Sequence, residues 1–473
     1  VLDDSKKPFI PSHRMGPKVV LIGAGSLFFG AKTIWSMATK DALCSGTLVL
    51  VELNEQKLKW MKQIADRVVA SRGVPLNVLA TTNRRQALKG ADFVILAMAQ
   101  NSVALRDLDS RISTRHGMIM CSGDTIGPGG IMRTLREVPI QQAVLRDVER
   151  LCPEAWVMNW INPTSAMGIA MMRHFPKIKS MALCDCVQNP AFDDNLIVRA
   201  GLTASVEDVT EALRRRVKII SGGVNHFTWL ISMTCDGKDQ TARIKESLKQ
   251  AAVMEHGRES AEKDHGSLTA RIAWQLSDAV GYAPMCTGHT QEYLPYFQGH
   301  GVHKKGALTI GRWRVDLRRQ WMRQYWKEAA GYAAGRTPIE QFLQTTTADY
   351  ASDIIESIWE GRPRRFYLNT PNNGAISNLT DDAYVEIPCR PDMSGLHPMP
   401  FGPLPRPILG YVQRVLDEHE LAVEAAITCD RRVLRRAFLA SMVAVSIPDV
   451  DACMNEMLAK EQAYLPARWR IKG

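Results

Sequence analysis

The feature that most constrains this chain is a change from strand to turn at Lys18-Val-Val-Leu-Ile-Gly23-Ala-Gly25-Ser26-Leu27. An apolar run suited to a strand buried on both faces stops at two glycines, and a helical pattern follows at once. Gly23 allows the tight turn, and Gly25 lets a diphosphate approach the backbone. The helix beyond offers N–H groups and the positive end of its dipole. Ser26 follows directly, without a distant third glycine, so the common dinucleotide fingerprint is met in part. A second apolar run, Thr47–Val51, ends in Glu52, about thirty residues after Gly23. An acid there accepts both ribose hydroxyls of NAD and repels the 2′-phosphate of NADP. A third run begins at Phe93, as the next parallel strand should. The expectation is a doubly wound α/β domain holding NAD through Gly23, Gly25, Ser26, Leu27 and Glu52. The other reading is an α/β domain whose glycines only make turns.

With 473 residues the chain can bury a large core and form two lobes. No apolar run approaches the roughly 20 residues that span a bilayer. The polar, Pro-broken start lacks the apolar core of a signal peptide, which points to the cytoplasm. Ten scattered cysteines fit reduced thiols rather than a disulfide framework. The net charge is +10, but its basic residues come in short runs without interleaved aromatics, which argues against nucleic acid. Strand–helix alternation over 16–200 marks the cofactor domain, and 201–473 reads as a catalytic and oligomerisation lobe. Within that lobe, 239–254, 257–280, 316–334, 338–359 and 407–465 carry helical patterns. Segment 370–407, rich in Pro, Asn and Gly, reads as irregular chain covering the site.

Four further segments collect polar chemistry. Gly123-Asp124-Thr-Ile-Gly127-Pro-Gly-Gly130 precedes a helical pattern and suggests backbone closely approached by a ligand. Asn159-Trp-Ile-Asn162-Pro163 follows the apolar run at 155–158, where a doubly wound sheet presents polar groups. Leu183-Cys184-Asp185-Cys186 follows another apolar stretch and reads equally well as buried thiols around a turn. Asn225-His226 lies between glycines and aromatics, where a histidine is commonly structural.

Together these segments resemble the NAD-dependent glycoside hydrolases of family 4, the α-glucosidase, α-galactosidase, α-galacturonidase and 6-phosphoglycosidase group. The resemblance runs from Val19 to about Leu465. It includes Gly281-Tyr-Ala-Pro284, Gly288-His289-Thr-Gln-Glu292-Tyr293-Leu-Pro295, Asn373-Gly-Ala-Ile-Ser-Asn378, Val385-Glu386-Ile-Pro388-Cys389 and Gly402-Pro-Leu-Pro405. It implies an N-terminal Rossmann-type doubly wound domain with an intertwined C-terminal α+β lobe, similar to the lactate/malate dehydrogenase fold. It also implies a homodimer or homotetramer acting on a small glycoside.

The resemblance further implies a divalent metal, usually manganese, held by Cys184 and His226 and completed by sugar hydroxyls. Asn162 falls where the family contacts cofactor, sugar and metal; Asp124, Arg106 and Asn225 are further sugar-binding candidates. Asp185 matches the general acid of the 6-phospho-α-glucosidase branch, a role that asks burial to raise its pKa. The alternative is that it orients His226 or a water. The implied chemistry is oxidation at C3 by NAD, loss of the acidified C2 proton, elimination of the C1 substituent, water addition and re-reduction. For the C2 base, the family's tyrosine pattern is replaced by Ser267-Leu-Thr-Ala-Arg271, leaving His289, Tyr282, Asp264 and Tyr293 as candidates by type. Segment 288–293 resembles members acting on unphosphorylated sugars, whereas Asp185 points to phosphosugars. His300, His303, Lys304 and Lys305 add a uronide to the favoured α-hexosides. The alternatives are a 6-phospho-α-glucosidase, a 2-hydroxy-acid dehydrogenase, an NAD-sensing protein, and an enzyme that mainly oxidises sugars.

Overall fold

A computed structural model describes residues 15–26, 28–121, 123–256, 269–286, 288–299, 308–310 and 312–469. Its strands are β1 (Lys18–Ile22), β2 (Thr47–Val51), β3 (Asn77–Thr81), β4 (Phe93–Leu96), β5 (Trp156–Asn159) and β6 (Lys179–Ala182), then β7 (Val217–Val224), β8 (Phe227–Cys235) and β9 (Lys238–Asp239). The last four are β10 (Ala283–Pro284), β11 (Phe366–Pro371), β12 (Tyr384–Asp392) and β13 (Gly395–Pro398). Strands β1 to β6 are parallel in the order β3-β2-β1-β4-β5-β6. The order reverses between β1 and β4, and in such sheets the crevice at that point takes the ligand. The expected strands at 18, 47, 93 and 155 are all present. Apart from their end residues they are apolar, because helices cover both faces of the sheet.

On one face lie helices Gly127–Leu151 and Thr164–His174, with the C-terminal helices Arg406–Thr428, Arg431–Ala440 and Ile447–Lys460. On the other lie Gly30–Thr39, Glu55–Arg72, Ile339–Thr345 and Tyr350–Trp359. Strands from both sides of residue 200 share one sheet, since β11 joins β6 at Asn369↔Ala182 and leads on to β12, β7, β8 and β10. No helix among the described residues is long and apolar enough to cross a membrane.

Two expectations about local structure are corrected. Segment 370–407 is irregular only in part, because it contains β12 and β13, and β12 lies inside the sheet. Its prolines are tolerated because β12 has divided partners: β7 meets it only at Glu386↔Gly223, and β13 takes over from Cys389. The helical pattern at 338–359 is two helices, broken before Asp349. That side chain caps the second helix by accepting from Ala351 N at 3.2 Å and also accepts from the Thr33 hydroxyl at 2.9 Å. Burial pushes the Asp349 carboxyl up to about 6.

Helix Thr164–His174 lies so close to β12 that a Cβ on Gly168 would fall 2.0 Å from the Tyr384 ring. Gly168→Ala must therefore displace a buried aromatic ring. The expected loss, measured by denaturant unfolding, is about 1–3 kcal/mol.

Candidate active site

The switch point opens into a cavity of about 770 Å³ that runs past Gly23, Gly25 and Glu52 to Asn162, Asp185, His226 and His289. At its cofactor-like end, Gly23 has φ +95°, and a Cβ there would lie 2.6 Å from the Ala97 backbone. Gly25 N–H donates to Glu52 Oε2 at 3.0 Å, while Glu52 Oε1 accepts from Asn54 N at 2.9 Å. The acid ending β2 is thus fixed beside the glycine turn by backbone donors. The helix starts at Gly30, later than the sequence pattern suggested, and Gly30 brings the helix against the turn. A Cβ on Gly30 would sit 2.3 Å from the Ala24 carbonyl oxygen. The close-packing role of a third fingerprint glycine is therefore present, displaced along the chain.

The chemical end is assembled where β5, β6 and the β7–β8 hairpin meet. Leu183 N bonds the Asn159 carbonyl at 2.9 Å, so Cys184 and Asp185 leave β6 beside the Asn162 loop. Asn225 and His226 are the two residues between β7 and β8. His226 takes a left-handed φ of +61°, and its N–H donates to Glu386 Oε2 at 3.1 Å. Gly222 allows this approach, because a Cβ there would lie 2.8 Å from the Glu386 carbonyl oxygen. Cys184 Sγ then lies 3.3 Å from His226 Nδ1, and Asp185 Oδ1 lies 3.8 Å from His226 Nε2.

Burial, reinforced by the neighbouring His289, lowers His226 to about 4 and keeps its imidazole neutral. Burial also pushes the Cys184 thiol up, and a bound cation would act in the opposite sense. Burial pushes Glu386 up to about 8 against the His226 N–H. The Asp185 side chain is 55% exposed, so the burial expected of a general acid is not provided by the protein itself.

The His289 ring lies against His226, tilted by 36° with ring centres 4.5 Å apart, and its Nδ1 lies 3.2 Å from Glu292 Oε2. Although burial opposes it, the Glu292 carboxylate raises His289 to about 9. Opposite, Asp124 lies 3.2 Å from Arg106 and 3.1 Å from Arg133. These arginines outweigh the effect of burial and hold Asp124 at about 2. Arg318 also lines the cavity, held over Phe28 and Trp321.

The structure thus brings together Gly23, Gly25, Ser26, Glu52, Arg106, Asp124, Asn162, Asp185, His226 and His289, with Cys184 directly behind His226. Asn225 lies behind the cavity wall, where its Oδ1 accepts from Asn369 at 3.4 Å. Tyr282 is outside the lining, at the end of helix Thr269–Val280, with the Lys245 ammonium 6.0 Å from its ring centre. Tyr293 is buried and donates to the Asn225 carbonyl at 2.8 Å. Leu27, Asp264, His300, His303, Lys304 and Lys305 lie outside the described residues. Sequence reasoning assigned no role to Arg133, Glu292, Arg318 or Glu386. An isolated acid between the apolar residues Val385 and Ile387 was the available signal for Glu386.

A family model described as "Family 4 glycosyl hydrolase" matches residues 18–193, and that of its C-terminal domain matches 221–443. A protein of Bacillus subtilis (strain 168) named "Probable 6-phospho-beta-glucosidase" is 28% identical over 458 residues, covering 95% of this chain and 98% of its own. An α-galactosidase of Rhizobium meliloti (strain 1021) is 28% identical over 477 residues, covering 95% and 89%. Among solved structures, a 6-phospho-α-glucosidase from gut microorganisms in complex with NAD and Mn2+ superposes with a TM-score of 0.79. That match has 20% identity and covers 95% of this chain and 99% of the other, a likeness of fold.

The His289–Glu292 pair has a measurable consequence. His289 should titrate near 9 by NMR, and Glu292→Gln should return its midpoint toward 6.5. Because the folded value is raised, the pair's contribution to stability is complete below about pH 6.5 and fades as pH rises through about 9. The Gln variant should lack this pH dependence in thermal unfolding.

Proposed function

Because the chain belongs to family 4 of the glycosyl hydrolases, we propose that it hydrolyses an unphosphorylated α-hexoside, neutral or a uronide, with NAD and a divalent metal, manganese first. The observation that carries this reading is the single cavity joining the Gly23–Glu52 cofactor turn to Asp185, His226 and His289. Both groups fit the residues present. Gly23 and Gly25 line the cavity at a turn packed too tightly on Ala97 and Glu52 to admit a Cβ, and Glu52 suits a ribose diol. A neutral imidazole and a thiol 3.3 Å apart suit a borderline divalent ion. When bound, NAD supplies a hydride acceptor and the metal supplies Lewis acidity.

The chain's own residues orient the sugar and move protons. Asn162 stands between the two ends of the cavity, its Oδ1 held at 2.7 Å by the Thr164 hydroxyl. Asp185, exposed to the cavity and close to His226, is placed to protonate the leaving oxygen. A bound sugar would cover it and provide the desolvation that the protein alone does not. His289, kept cationic by Glu292, puts positive charge and a donor beside Asp124 and Asp185. Arg106 and Arg133 orient Asp124 toward sugar hydroxyls. With Arg318 and His289 they leave this end more cationic than anionic, which favours a uronic carboxylate.

A panel of aryl α- and β-glycosides, galacturonides and 6-phosphoglucosides, with NAD and Mn2+ each added or omitted, tests this reading. Turnover of an α-hexoside or α-uronide should need both additions and leave no net NADH. Preferential cleavage of a 6-phosphoglucoside would transfer the assignment to that branch. NADH accumulating from a hydroxy acid would replace the hydrolase reading with a dehydrogenase. Asp185→Asn should lower turnover about 10²–10⁴-fold for poor leaving groups and recover with activated aryl groups. Equal loss on all leaving groups would make Asp185 a positioning residue.

A further inference from the structure

Cys184 is not the only thiol at His226. Cys186 and Cys286 also converge there, and neither is used by the proposed reaction. The ligating atoms of Cys186, Cys286, His226 and His289 all lie within 4.8 Å of one another. Cys286 Sγ is 3.7 Å from His226 Nδ1, on the same edge of the ring as Cys184. Three separate segments bring these ligands: Cys186 follows β6, His226 lies between β7 and β8, and Cys286 and His289 follow β10. Cys186 N donates to Cys184 Sγ at 3.4 Å, which fixes the turn after β6. The N–H groups of His289 and Thr290 both bond the Cys286 carbonyl, at 2.9 and 2.8 Å, so the Cys286-x-x-His289 turn presents both side chains together.

We propose that Cys186, Cys286, His226 and His289 form a second, closed metal site that takes a thiophilic divalent ion, zinc above all. Tetrahedral zinc with two sulfur and two nitrogen ligands has S···N edges of about 3.5 Å and an S···S edge of about 3.8 Å. The Cys286–His226 distance already meets the first value, and the 4.8 Å limit on the set leaves about 1 Å of contraction. Glu292 engages Nδ1 of His289, the carboxylate–imidazole relation that orients metal-ligating histidines. Binding would release one proton from each thiol and one from the His289 imidazolium, so two thiolates would balance the charge of Zn2+ in a largely buried site. Soft thiolates favour zinc over manganese, which prefers oxygen ligands and open positions.

The two sites share His226 and exclude one another. Zinc in the closed set would draw Nδ1 of His226 from Cys184 toward Cys286 and leave no coordination position for a sugar. This antagonism rests on the catalytic metal reading above; zinc binding itself does not.

The test uses the full chain, made metal-free and kept reduced, and titrated with Co2+ as a spectroscopic probe and then with Zn2+. One equivalent of Co2+ should give visible bands of tetrahedral intensity with near-ultraviolet thiolate charge transfer, and Zn2+ should bleach both. Cys186→Ser and Cys286→Ser should each remove about half of the charge transfer and weaken zinc by about tenfold or more, as read by chelator competition. Cys184→Ser should leave these bands in place. NAD affinity measured on the same samples reports that each variant is folded. Weak octahedral bands without thiolate charge transfer, or charge transfer lost only in Cys184→Ser, would overturn the proposal. Neither readout needs glycoside turnover, so failure of the hydrolase reading and failure of the zinc site remain distinguishable.

Discussion

The site depends on one hydrogen bond, from the His226 N–H to the buried carboxyl of Glu386. The two-residue turn between β7 and β8 places His226 in left-handed backbone, which a non-glycine residue adopts at a cost. Glu386 on β12 offsets that cost, and Gly222 lets the two strands close on each other. With the bond made, the imidazole is set against Cys184, which arrives independently at the end of β6. Glu386 therefore acts through His226 as a positioning residue. Burial pushes its carboxyl up, opposed by Cys184 and by this same donor.

A continuous sheet makes the meeting possible. Parallel strands β1 and β4 open the crevice beside Gly23, and β5 and β6 carry Asn162 and Cys184–Asp185 to the same edge. Antiparallel strands from the second half extend that edge and return His226 to it. Charge in the cavity follows from the same arrangement. Asp124 is held ionised by two arginines and His289 is held protonated by Glu292, while His226 is buried and stays neutral. Neighbouring titratable groups are thereby pushed in opposite directions, as proton-transfer sites require.

Much of this was legible in the sequence because the signals are local. The Gly23–Gly25 turn, Glu52 at the end of β2 and the apolar parallel strands depend on residues close together in the chain. The ordered motifs around Cys184, His226 and His289 carried the family resemblance. What could not be read depends on contacts between distant segments. Gly30 takes the third-glycine role only because the turn after β1 runs longer than the common pattern. Strand β12 looked irregular because its prolines are acceptable only with β7 and β13 sharing one edge. Glu386 and Glu292 gain their roles from partners brought by other elements. The convergence of Cys186 and Cys286 joins residues a hundred positions apart, and spacing alone could not show it.

The proposed reaction breaks the glycosidic bond by reversible oxidation and elimination within this one cavity. Removal and return of the C2 proton is the step that separates this route from direct displacement at C1. The decisive measurement is hydrolysis of an accepted α-glycoside in D2O with NAD and Mn2+, followed by NMR of the released sugar. Solvent deuterium should appear at C2, with NAD unchanged overall. Full turnover with C2 hydrogen wholly retained, or turnover indifferent to NAD, would contradict the proposed reaction.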